Sequence, residues 1–294
     1  MRRPAPARAL LLGALAFFLG ASVTSAQDST LTAPPADRYA VYVDGVRSDL
    51  DAVVEAAGRA DVVFLGERHD DAVAHALQLR VLRAVHERAG RPVALGLEMF
   101  EADVQPVLDE YLAGAIEERD FLEASRPWSN YADYRPLVEY AREHGLPVVA
   151  TNAPARHVRA VARGGAEVLG DLPATSLAVY PPRPHSEASP ALASKFAEAM
   201  GGVEGHGGPA LDGMLAAQNL RDLTMAWRTA QALDGGALVV HVNGSFHSAG
   251  GLGVPEHLAR FAPDARTLVV TFEPADDLAA PPATGGVVVL TRTE

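Results

Sequence analysis

No cysteine occurs anywhere in the 294 residues. That absence excludes a thiolate nucleophile, cysteine metal ligands, disulfides and an acylated lipoprotein cysteine, so stability must come from the core. Lysine is almost as scarce. Lys195 stands alone, and Schiff-base chemistry would hang on that one side chain. Beyond the start of the chain there is also no apolar run of the roughly 20 residues that a bilayer span needs. The apolar stretch over 9–19 is shorter, follows Arg2 and Arg3, and leads to the small-residue exit Thr24-Ser25-Ala26. This is the pattern of a secretory signal peptide cleaved near Ala26, so the sequence predicts an exported protein, periplasmic or secreted, with no membrane span. Removing Arg2, Arg3 and Arg8 from 25 basic side chains leaves 22 against 37 acidic ones, a net charge near −15. Such a balance argues against nucleic acid or an anionic membrane as partner.

What the chain has in plenty is short, uncharged apolar runs: Val62-Val63-Phe64-Leu65, Val93-Ala94-Leu95-Gly96-Leu97, Val148-Val149-Ala150 and Leu238-Val239-Val240. Runs of this kind read as strands buried on both faces, and helical periodicity separates them. Val104, Val107, Leu108 and Tyr111 repeat at helical spacing, as do Tyr134, Leu137, Val138 and Ala141. Gly145 and Pro147 stop the second of these helices, and Asp70 is placed to cap another over about 71–89. The expectation is an α/β fold, a largely parallel sheet flanked by helices. Residues 27–38 form a flexible lead-in, and 39–294 form one domain. The interval from about 172 to 209 breaks the rhythm with Pro181-Pro182-Arg183-Pro184-His185, a short helix and a glycine-rich stretch. It reads as a small helical and irregular lid, or else as a tolerated surface insertion.

Polar residues follow the apolar runs. Glu67 and His69 lie in Gly66-Glu67-Arg68-His69, and His247 in Gly244-Ser245-Phe246-His247, each motif Gly-x-x-His. Glu98 ends the second run, with Asn152 and His241 at the same level on other strands and Asn243 and His247 following on the last turn. Open α/β sheets collect ligands beyond the carboxyl ends of their strands, so these groups are candidates for one site. Glu67, His69, Glu98 and His247 suit a divalent metal or its bound water, with His241 or Glu67 as general base. Each also has a structural reading: Glu67 as a helix cap, Glu98 in an ion pair, His69 simply exposed. In the helix over about 211–233, Gln218 and Asp222 fall on the apolar stripe. There they either pair with each other or support the strand-end cluster. The glycine-rich stretch lacks a phosphate-loop ending, and Ser245 lacks the nucleophile elbow of a serine hydrolase.

Taken in order, Val63 to His69, Leu97 to Phe100, Trp128 to Leu137, Val149 to Pro154, Gln218 to Trp227 and His241 to His247 resemble the ChaN-like haem-binding family of the Tiki superfamily. The resemblance covers about 60–258. It implies an α/β core with a smaller lid, a role in iron or haem uptake, haem or a small apolar ligand as partner, and paired haems between two protomers of a homodimer. A tyrosine as axial iron ligand is also implied, and Tyr180 is the expected one, with His185 and His206 nearby and Arg183 to meet a propionate. Tiki-type relatives are similar to metal-dependent peptidases. That implies the alternative of a divalent-metal hydrolase using Glu67, His69, Glu98 and His247.

Overall fold

Uncharged runs that can bury both faces take the middle of the sheet. In the computed structural model, which describes residues 34–201 and 208–292, all six residues of β3 (Val62–Glu67) are buried. The other strands are β1 (Tyr39–Val43), β2 (Val46–Ser48), β4 (Val93–Glu101), β5 (Val148–Asn152), β6 (Leu238–Gly244), β7 (Thr267–Pro274) and β8 (Val287–Thr291). They form one eight-stranded sheet in the order β2-β1-β8-β7-β3-β6-β4-β5. From β8 to β5 all neighbours are parallel, and β1 runs antiparallel to both β8 and β2. The expected largely parallel sheet is what the chain builds.

The helices are α1 (Leu50–Arg59), α2 (Ala72–Arg88), α3 (Gln105–Leu112), α4 (Glu118–Ser125), α5 (Tyr131–His144), α6 (Ala155–Gly164), α7 (Ala174–Leu177), α8 (Pro190–Ala199), α9 (Pro209–Leu233) and α10 (Val254–Phe261). Alternation along β3 sorts them onto two faces. Val63 and Leu65 join a core with α1, α2 and α5, while Val62 and Phe64 pack on Met225 and Ala226 of α9 and on Val254 and Leu258 of α10. A third apolar cluster joins α6, Leu169 and Tyr180 to Ala217 and Leu220 of α9. Among the described residues no helix is long and apolar enough to cross a membrane. The leader and His206 lie outside the described residues.

Two boundaries differ from expectation. Asp71, one residue later than Asp70, caps α2, its Oδ1 accepting the Val73 and Ala74 amides at 3.0 and 2.9 Å. β4 runs on past Glu98 to Glu101, with a register break against β5 between Leu97 and Glu101. The chain goes from β3 out to β4 and β5, returns to insert β6 between β3 and β4, then leaves for β7 on the far side of β3. That reversal opens a crevice at the carboxyl ends of β3, β6 and β4, where such folds place ligands.

Candidate functional site

Three of those strand ends bring their polar residues together. Glu98 is 3% exposed, and its Oε2 accepts the Gly244 amide at 2.7 Å. His247 Nε2 lies 3.2 Å from Glu98 Oε1, and its Nδ1 donates to Asp222 Oδ1 at 2.5 Å. An imidazole held between two buried carboxylates keeps its second proton. Burial opposes the charge, but Glu98 and Asp222 outweigh it and push the His247 pKa up to about 10. The same balance, burial against the His247 charge, lowers Glu98 to about 2. The Gln218 amide nitrogen lies 2.9 Å from His247 Nδ1.

Glu67 anchors the other half. Its Oε1 accepts from the Tyr134 hydroxyl at 2.5 Å and from His69 Nδ1 at 3.2 Å, and its Oε2 accepts from Gln78 at 2.7 Å. His75 Nε2 lies 3.1 Å from that second oxygen but is not aligned for a hydrogen bond. Burial alone would raise the Glu67 pKa; His69, His75 and Tyr134 bring it below the usual range. The His69 pKa is raised, with burial opposed by Glu67 and Glu98. Trp128 meets the His69 ring edge-on at 4.6 Å. The two halves touch through Gly244: a Cβ there would sit 2.8 Å from His69 Cε1 and Nε2 and 3.7 Å from Glu98 Oε2. Gly244→Ala should therefore push His69 aside, shifting its ring resonances in NMR spectra while the far-UV circular dichroism stays the same. Unmoved resonances would contradict this packing.

Chemically, a carboxylate that orients one histidine nitrogen leaves the other free to take or give a proton. His69 is that histidine. It borders an open depression of about 610 Å³ with Arg68, Asn130, Ser245 and Phe246. A metal ion fits less well, since His247 is doubly protonated and Glu67 already accepts from three neighbours. Among the described residues no three His, Asp or Glu side chains converge as a ligand set.

Other expected site residues lie elsewhere. His241 is not at a strand end but inside β6, fully buried, between Asn243 Oδ1 at 3.0 Å and Thr151 Oγ1 at 3.1 Å. Burial drops its pKa to about 4, so it is a neutral core group and not the general base. Asn243 braces the turn after β6 by donating to Gly244 O and Ser248 Oγ, and Asn152 accepts from Arg221. Two site residues went unread: His75 and Gln78 stand on the buried stripe of α2 with Leu82 and Val85, the signal that singled out Gln218 and Asp222.

A cavity of about 930 Å³ lies apart from the strand-end depression, with no lining residue in common. Val161, Leu169, Leu215, Leu220 and Leu223 give it apolar walls, and Arg183 and His185 stand at its lining. His185 Nε2 donates to Pro181 O at 3.1 Å, and burial lowers its pKa, so the imidazole is neutral with Nδ1 unprotonated. A histidine whose other nitrogen is held by a carbonyl is the arrangement metals select. Among the described residues Arg183 makes a loose pair with Glu167 at 3.9 Å. Tyr180 is not at the lining. It is 4% exposed, its hydroxyl is 2.7 Å from His157 Nδ1, and burial raises its pKa. All three observations oppose a phenolate.

Comparisons with known proteins follow the same lines. A solved structure of cofacial haem binding to ChaN of Campylobacter jejuni is 16% identical, covering 88% of this chain and 98% of that one with a TM-score of 0.66, which shows the shared fold. An erythromycin esterase mutant in its open conformation is 16% identical over 83% of this chain and 78% of that one, with a TM-score of 0.44, too low to carry an argument. The chloroplastic protein RETICULATA-RELATED 5 of Arabidopsis thaliana is 27% identical over 252 residues. That match covers 78% of this chain, which spans only 33% of the relative's length. The model of the haem-binding uptake family (Tiki superfamily, ChaN) matches residues 53–258, and the chain belongs to that family.

Proposed function

We propose that this chain binds haem in the cavity lined by α9 and by the segments 166–169 and 183–188, and that it is an exported protein serving iron or haem uptake. The observation that carries the reading is a cavity of about 930 Å³ in which Val161, Leu169, Leu215, Leu220 and Leu223 stand beside one neutral histidine and one loosely paired arginine, with Glu167, Glu187 and Asp212 also at the lining. That volume is within the ordinary range for a ligand of this size. Haem iron accepts a neutral imidazole nitrogen, which His185 offers, and Arg183 can exchange Glu167 for a propionate. The cofacial binding named for the Campylobacter relative supports a second copy of this chain as partner, with two haems facing each other. Adding haemin to purified protein should give a shifted, saturable Soret band. Tyr180→Phe should leave the band unchanged, and His185→Ala should weaken binding by at least about tenfold. Light scattering should show a dimer once haemin is bound. Absence of any saturable band would end this reading.

A second reading, hydrolysis at the strand ends, is favoured by the Glu67–His69 pair, which leaves a histidine nitrogen facing an open depression. Glu67 would orient the ring and His69 would move the proton. Hydrolysis of ester or amide probes that survives chelation and is lost in His69→Ala supports a metal-free form. Stoichiometric metal in protein purified without added ions supports the metal-dependent one.

A further inference from the structure

The only lysine in the chain does not point into solvent. Lys195 lies on α8, and its Nζ donates to Phe246 O at 2.8 Å and to Ala249 O at 2.7 Å. The ammonium also sits 5.0 Å from the centre of the Phe246 ring, and Phe196, the next residue, meets that ring edge-on at 6.2 Å. Two carbonyls and an aromatic face thus satisfy the three protons of one ammonium, partly withdrawn from water, and burial lowers its pKa.

Both carbonyls belong to the segment after β6. Ser245–His247 and Ala249–Gly251 are single tight turns, each closed by one backbone hydrogen bond, Ser248 N to Ser245 O at 3.2 Å and Gly251 N to Ser248 O at 3.0 Å. This segment supplies the His247 ring to Glu98 and follows directly on Gly244, the last residue of β6, whose amide also bonds Glu98. It also passes Gly253, where a Cβ would lie 2.7 Å from His247 O and 3.1 Å from Asp222 Oδ2. Tolerances there are small, so a brace across the two turns fixes where the imidazole and the amide stand. A compact ammonium suits this better than a planar guanidinium, because the acceptors are two separate carbonyls and not one carboxylate. Ser189 Oγ donates to Glu256 Oε2 at 3.1 Å, and Asn219, itself bonded to His257, holds Ser186 O at 2.8 Å. These links dock the segment before α8 on the same side.

We propose that Lys195 is a positioning residue of the strand-end site, an ammonium brace that sets the turn carrying His247, and the adjoining Gly244 amide, against Glu98. The proposal is independent of whether the cavity takes haem.

The absence of cysteine makes the test clean. Lys195→Cys introduces a unique thiol, and alkylation with 2-bromoethylamine rebuilds a side chain of lysine length with its ammonium. Residue-resolved hydrogen exchange on the full chain is the readout. In Lys195→Cys the Gly244 and Gly251 amides should exchange at least about tenfold faster, the scale of one lost charge-assisted hydrogen bond, while Val63 and Leu65 of β3 keep their rates. Aminoethylation should restore the slow rates. Equal acceleration across β3 and the turn, or no change at Gly244, overturns the proposal, as does failure of the rebuilt ammonium to restore protection. Should the variant not fold, the unmodified protein still decides. Its single lysine ammonium resonance should exchange slowly with solvent and show a close-range coupling to the Phe246 ring; a freely exchanging ammonium overturns it.

Discussion

Replacing His247 by alanine is expected to lower the unfolding free energy by about 3–5 kcal/mol, the scale on which removing one partner of a buried ion pair acts. Glu98 and Asp222 are 3% and 0% exposed, and without the imidazolium two carboxylates remain with no cation between them. Asp222 Oδ2 already lacks a partner among the described residues, so little is available to compensate. The pH dependence has a definite sign. The His247 pKa rises from 6.5 to about 10 on folding, so its contribution is complete below pH 6.5 and is lost as the pH climbs through 10. The Glu98 pKa falls from 4.5 to about 2, so its contribution is complete above pH 4.5 and is lost as the pH drops through 2. Wild type should therefore be most stable between about pH 4.5 and 6.5 as far as this pair decides, and His247→Ala should lack the alkaline limb. Urea unfolding followed from about pH 2 to about pH 10 measures both effects. A variant within about 1 kcal/mol of wild type at neutral pH would contradict the charge cluster.

The second large effect concerns the cavity. Gly213 of α9 faces the backbone of α6, and a Cβ there would stand 2.2 Å from Ala162 O and 3.1 Å from Ala162 C. Backbone cannot swing away as a side chain can, so Gly213→Ala must force the two helices apart. Overpacking of this kind costs about 1–3 kcal/mol. α9 carries Leu215, Leu220 and Leu223 into the cavity, and α6 carries Val161, so haemin affinity should fall with stability, by roughly tenfold or more. Gly58→Ala is the control. Gly58 lies in α1 with nothing within 4 Å of its would-be Cβ, and that substitution should stabilise by about 0.5–1 kcal/mol with haemin binding unchanged. Haemin titration and unfolding of the two variants side by side separate a wedge between helices from a mere loss of glycine.

The sheet was readable because uncharged runs have only one place to go when helices cover both faces, and the run Val148-Val149-Ala150 opens β5. The stop of α5 was readable for a local reason: Gly145 takes the left-handed conformation at φ 66° and Pro147 follows. Glu67, Glu98 and His247 could be picked out because a carboxylate or imidazole at the edge of an apolar run has to be answered by something. Who answers it is a tertiary fact. His241 shows the limit. Its neighbour across the sheet is Gly96, where a Cβ would meet the ring at 2.7 Å, and only that vacancy lets an imidazole lie inside a central strand. No local pattern announces it. Tyr180 failed for the same reason. Its partner His157 sits on another element, and the pair buries a hydroxyl that a sequence reading leaves free for iron.

The central claim is that iron comes to rest beside His185, in the cavity lined by α9 and the segments 166–169 and 183–188. An anomalous difference map, collected at the iron edge from crystals grown with haemin, tests it most directly. The account predicts one iron peak per chain inside that cavity, at bonding distance from the His185 imidazole. An iron peak on the Tyr180 oxygen, or at the Glu98–His247 strand ends with the cavity empty, would contradict it.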